Sequence, residues 1–362
     1  MKRSSGVLMH VSSLWGKYSI GSLGVEAREW IDCLADNGFS VWQVLPFCLP
    51  DECNSPYKSF SAFSLNPYFI DLPTLYEKGL LTEAELTSVE QKTPYVCEFE
   101  RLATERFTLF SKASARVKDR APIDIFLKKH PQVASFCRFM AIKSTNEGRE
   151  WIDWTSDMPD AAVQSTWEFT QYECYTQWLA LKDYANRRGV SIVGDIPIYV
   201  AYDSSDVWAN RELFQLDKNC RPEAVAGVPP DYFCEDGQLW GNPLYDWKRM
   251  KQDNFSWWRE RMSFMMELFD GVRIDHFRGL EAYFSIPAGE KTARNGTWKK
   301  GPGMALIRAL REACGDGLVI AEDLGDITPT VRKLVNDSGY PDRKSTRLNS
   351  SHLPRSRMPS SA

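Results

Sequence analysis

The chain has 362 residues, with 44 basic and 48 acidic side chains and a formal net charge of −4, so neither a nucleic-acid footprint nor a charged membrane-binding block is present. Hydrophobic residues make up 43% and charged residues 25%, ordinary for a soluble protein of two average domains or one large α/β barrel with insertions. No segment has the apolar length of a bilayer span or secretory signal, and the nine cysteines include no CxxC pair, which points to reduced thiols in a cytoplasmic protein.

Taken in chain order, GVLMHVSS reads as an opening strand. A helix over residues 25–35 places Val25, Trp30, Ile31 and Leu34 on one face, Asn37-Gly38 stops it, and SVWQVLPF follows as a second strand. Residues 1–79 thus hold two strands and a loop, and residues 80–165 read as an inserted helical subdomain. Residues 166–340 resume the alternation. A helix over 167–186 ends at Gly189 and leads into VSIVGDIPIYV. Residues 202–247, rich in Pro, Gly, Asp and aromatics, read as a long loop insertion that overhangs the end of that strand. A helix over 256–268 leads into VRIDHF, and one over 304–313 leads into GLVIAEDLG. Thr328-Pro329 marks the cap and first position of a further helix.

Such alternation means parallel strands joined by crossover helices. Polar residues fall late in the strands: Asp195 in SIVGDIP, Asp275 in VRIDH and Glu322 in VIAEDLG. In an α/β barrel those C-terminal ends form the active-site face. Arg273 and Asp275, two apart on one strand, point to the same side. Strand-end acids also cap helices or pair with arginine, so a structural role stays open for each.

Two carboxyl groups facing one cleft suit glycoside chemistry, one attacking the anomeric carbon while the other donates a proton to the leaving oxygen. Arg273 favours the charged form of Asp275, as a nucleophile needs. Glu322 follows Ile320 and Ala321, where desolvation raises a carboxyl toward proton donation. Asp195 then suits hydrogen bonds to sugar hydroxyls. Aldolase and enolase-type barrels also line strand ends with acids, so residue types alone leave the reaction open. The 13 Trp, 14 Tyr and 19 Phe offer flat faces for pyranose rings, although most aromatics fill cores.

The stretches SPYKSFSAFSLNPYFIDL, GDIPIYVA, GVPPDYFCEDGQLWGNPLYDW, GVRIDHFRGLEAYFSIPAGE, GTWKKGPG and IAEDLGDITP together resemble the amylomaltase, or disproportionating enzyme, family. These are 4-α-glucanotransferases of the α-amylase clan, and the likeness runs over residues 6–341. The resemblance implies a (β/α)8 TIM-type barrel with inserted subdomains, here incomplete at about five of eight strands. It implies Asp275 as nucleophile and Glu322 as general acid/base, with Asp195 and Arg273 binding the donor sugar and orienting the nucleophile. It further implies Tyr57 beside the cleaved bond with Ser55 near it, and Trp240 and Asn242 as substrate contacts. Tyr232 and Phe233 fall in a loop over the glucan, and His276 is a further substrate contact. The implied reaction is retaining transglycosylation between maltooligosaccharides, with no metal or organic cofactor. The alternatives are a hydrolytic α-glucosidase or amylase, or a non-catalytic glucan-binding protein.

Two departures stand out. The family carries a third carboxylate in a His-Asp motif, and no histidine here precedes an aspartate. Residues 341–362 lose every earlier pattern and resemble translated cloning or adapter sequence. The expectation is therefore a C-terminally truncated copy, poorly soluble and inactive, with no nucleic-acid or membrane partner.

Overall fold

Each apolar run that follows a glycine or asparagine stop becomes a parallel strand. The computed structural model describes residues 4–50, 54–232, 234–322 and 328–343. Among them the strands are β1 (Gly6–Leu8), β2 (Val41–Gln43), β3 (Ser191–Ile196), β4 (Ala224–Val228), β5 (Gln238–Pro243), β6 (Gly271–Ile274), β7 (Ala282–Pro287), β8 (Thr297–Lys300), β9 (Leu318–Glu322) and β10 (Asp342–Arg343). Six of these form one all-parallel sheet in the order β1-β2-β3-β6-β9-β10. The first five are the runs read from the sequence. The sixth is a two-residue edge beside Ala321 and Glu322, so the segment set apart as a tail begins within the sheet, while residues 344–362 lie outside the described residues.

Parallel neighbours require long crossovers, and these are helices Val25–Asp36, Ala161–Arg187, Ser256–Leu268, Met304–Cys314 and Pro329–Ser338. Thr328 caps the last of them by accepting the N–H of Val331 at 3.3 Å. Helix Ala161–Arg187 starts earlier than its apolar pattern indicates, because Asp160 accepts the N–H groups of Ala162 and Val163 and fixes the first turn. Helix Val25–Asp36 buries Ala27, Ile31 and Leu34 but leaves Val25 60% exposed. A side chain in the first turn leans back past the helix end, here beyond the core. Helices Phe107–Ala115, Ala121–Lys129 and Pro131–Thr145 pack along the long helix Ala161–Arg187.

The stretch 202–247, read as loop, carries strands β4 and β5. With β7 and β8 they form an antiparallel sheet in the order β5-β4-β7-β8. Its strands AVAGV and QLWGNP lack the alternation that marks a half-buried strand, and a register shift between Val225 and Gly227 breaks the ladder.

Behind the parallel sheet, Phe47 packs 4.4 Å from Trp178, which packs 5.6 Å from Phe269. The Trp178 indole donates to the Leu268 carbonyl at 2.8 Å. Gly194 in β3 is needed for this packing, since a Cβ there would meet the Phe269 ring at 2.4 Å. The same residue precedes Asp195, so core packing fixes the strand end that carries the acid. Among the described residues no helix is long and apolar enough to cross a membrane.

Candidate active site

Strand register assembles the site. Asp195 pairs with Arg273 across β3 and β6, and Ile274 pairs with Ala321 across β6 and β9. Register-matched residues of parallel neighbours share a face, so Asp195, Arg273, Asp275 and Glu322 converge on one side. The Asp275 N–H donates to the Ile196 carbonyl at 2.9 Å and carries the ladder past the end of β6.

One guanidinium joins the acids. Arg273 Nη1 donates to Asp195 Oδ1 at 2.7 Å and Oδ2 at 2.6 Å. Its Nη2 donates to Asp275 Oδ1 at 2.7 Å and lies 4.0 Å from Glu322 Oε1. The Tyr57 hydroxyl donates to Asp195 Oδ2 at 2.8 Å, and the His276 backbone N–H donates to Glu322 Oε2 at 2.9 Å. Asp195, Arg273 and Glu322 are all buried, which such charges tolerate only when paired and hydrogen-bonded.

Burial pushes the Asp195 carboxyl up to about 6, against the pull of Arg273 and with a further push from the negative charge of Asp275. Burial also raises Asp275, and Arg273 opposes it. Arg273 thus acts on Asp275 in the direction read from the sequence, but desolvation is the larger influence. For Arg273 itself, burial works against the charge, yet Asp195 and Asp275 outweigh it and hold the guanidinium more firmly protonated than usual. Burial and then Asp195 raise the Tyr57 hydroxyl. Burial, aided by Arg278, lowers His276 to about 4 and keeps its imidazole neutral.

Above this cluster lies a cleft of about 350 Å³ that brings together Ser55, Tyr57, Trp240, Asn242 and Asp275. Asn242 is fixed by donating to the Val200 carbonyl at 2.9 Å, and the Trp240 indole donates to Gln238 Oε1 at 3.0 Å. Lys58, Ile198 and Tyr199 line the same cleft and were missed. Ile198 and Tyr199 follow closely on Asp195 in GDIPIY, so their place just past a strand end was the available signal. Tyr232 is 98% exposed and stands away from the cleft wall, and Phe233 lies outside the described residues. His276 does not line the cleft; its ring meets Trp240 edge-on at 4.9 Å. A larger cavity of about 550 Å³, walled by Phe107, Phe110, Met140 and Trp167, holds none of the clustered acids. Of the two, only the smaller cleft is lined by one of the clustered acids, Asp275.

Parallel strands whose C-terminal ends gather three acids and an arginine beneath an aromatic cleft have the layout of a carbohydrate-active α/β enzyme. The sequence matches the family model described as 4-alpha-glucanotransferase over residues 9–360. It is 43% identical to the 4-alpha-glucanotransferase of Streptococcus pneumoniae, covering 95% of this chain and 72% of that protein. Against the enzyme of the same name from Clostridium butyricum it is 42% identical, covering 93% and 73%. The amylomaltase from Streptococcus agalactiae, solved in complex with acarbose, superposes with a TM-score of 0.92 at 36% identity, over 98% of this chain and 75% of that one. The amylomaltase from Corynebacterium glutamicum shares the fold, with a TM-score of 0.79 at 19% identity, over 94% and 50%. The chain belongs to the 4-alpha-glucanotransferase family, transferases that act on α-1,4-glucans.

Proposed function

We propose that the strand-end cleft performs a retaining transfer of α-1,4-glucan segments between maltooligosaccharides, with Asp275 as nucleophile and Glu322 as acid/base. The observation that carries this reading is the single guanidinium that bonds Asp195 and Asp275 and reaches Glu322. It ties the acids to one side chain at one strand-end face, and retaining enzymes use a pair of carboxyl groups about 5–5.5 Å apart. Asp275 attacks the anomeric carbon while Glu322 gives its proton to the departing glycosidic oxygen. The acceptor 4-hydroxyl then attacks that carbon, Glu322 takes the hydroxyl proton, and the bond to Asp275 breaks. Arg273 keeps Asp275 aimed, Asp195 and Tyr57 hold the donor sugar, and Trp240 and Asn242 form the adjoining wall.

In the same reading the parallel sheet is part of a (β/α)8 barrel, with residues 80–165 and 202–247 as inserted subdomains and Tyr232 in a segment over the glucan. The eight described cysteines are free thiols, which supports a reducing, cytoplasmic setting.

Incubation with maltotriose tests this reading. Longer glucans and glucose formed at a constant number of reducing ends are the expected products. A rising number of reducing ends would overturn the transfer reading in favour of hydrolysis.

A further inference from the structure

We infer that His276 is a positioning residue that holds the Trp240 ring and the Glu322 carboxyl in one arrangement, and that Gly279 is glycine so that the His276 ring can seat. This rests on the reading of the cleft just given. His276-Phe277-Arg278-Gly279 closes a single 3₁₀ turn directly after Asp275. His276 has φ 51°, in the left-handed region that non-glycine residues seldom enter. That conformation aims its N–H at Glu322 Oε2, 2.9 Å away. The imidazole meets Trp240 edge-on, with centroids 4.9 Å apart and ring planes at 84°.

Beneath the ring lies Gly279. A Cβ there would sit 3.0 Å from His276 Cδ2 and 2.8 Å from Ile198 Cδ1, and Ile198 itself lines the cleft. The His276 Nε2 atom is buried and has no hydrogen-bond partner among the described residues. At that atom packing and not a polar contact surrounds the ring, and its neutral state brings no second cation beside Asp275. The aromatic wall of the cleft and the acid/base carboxyl are thus tied through one residue. The spacing of His and Gly in HFRG follows from that turn.

Calorimetric titration of acarbose into the full chain tests the inference, using H276G, H276N, W240L, G279A and the double variant H276G/W240L. Glycine and asparagine both accept the left-handed turn, so the N–H to Glu322 is retained in the first two variants. Removing the ring is expected to weaken binding about three- to tenfold, the worth of an edge-on aromatic pair. G279A, which unseats the ring, is expected to weaken it similarly. H276G/W240L is expected to bind no more weakly than W240L alone, because the ring acts through Trp240. In proton NMR, a carbon-bound imidazole proton of His276 is expected to carry a ring-current displacement that W240L abolishes.

Additive losses in the double variant, H276G binding like the parent, or recovery of affinity in H276N would overturn the inference and leave the cleft reading standing. Absence of acarbose binding by the parent chain overturns the cleft reading and this inference with it.

Discussion

Arg273→Gln removes a cation that bonds Asp195 and Asp275 and lies 4.0 Å from Glu322. The guanidinium makes two bonds to Asp195 at 2.7 and 2.6 Å and one to Asp275 at 2.7 Å. Breaking a buried pair by deleting one partner costs about 3–5 kcal/mol, because the remaining charge is left uncompensated. The cost depends on pH, and Asp195 sets the direction. Its carboxyl lies at about 6, above the ordinary value of 3.8. The folded state therefore binds this proton more tightly than the unfolded chain. Its contribution to stability is full below about pH 4 and is lost as pH rises through 6. Without Arg273 the carboxyl moves further up, so the loss extends to higher pH. Urea denaturation of parent and R273Q at pH 8 and pH 5 is the assay. The expected cost is about 3–5 kcal/mol at pH 8 and clearly smaller at pH 5, where Asp195 takes up a proton. An equal cost at both pH values, or one below about 1 kcal/mol at pH 8, would refute the reasoning.

Tyr57→Phe removes a hydrogen bond that favours ionised Asp195; a carboxyl-carbon NMR titration should show the Asp195 midpoint rising above about 6, and an unchanged midpoint would count against the contact. Gly194→Ala forces a methyl to 2.4 Å from the Phe269 ring, and thermal unfolding should report a loss of about 1–3 kcal/mol from overpacking. The imidazole of His276 should stay neutral down to about pH 4 in an NMR titration, whereas an ordinary midpoint near 6.5 would mean that the ring is solvated rather than buried.

The parallel sheet was legible because β2, β3, β6 and β9 are apolar runs behind a glycine or asparagine stop, and the acids were legible because they end such runs. Arg273 and Asp275 could be grouped from strand alternation alone, whereas Asp195 joins their face through the parallel register of β3 and β6. The second sheet was not legible. Strand β4 is five residues with a glycine and an adjoining register shift, and its pairing depends on β7, roughly sixty residues away in the chain. The balance of influences on Asp275 was misjudged for a similar reason. A neighbouring arginine is visible in sequence, while the depth of burial is set by elements far along the chain. His276 stands next to the proposed nucleophile in sequence, yet its left-handed backbone turns the ring toward Trp240 rather than into the cleft.

The most direct test of the central claim is a crystal structure of this chain with acarbose. The account predicts a sugar ring over Asp275, between Tyr57 and Trp240 and within reach of Glu322. Acarbose found only in the larger cavity walled by Phe107, Phe110 and Trp167, or found nowhere on the protein, would contradict it.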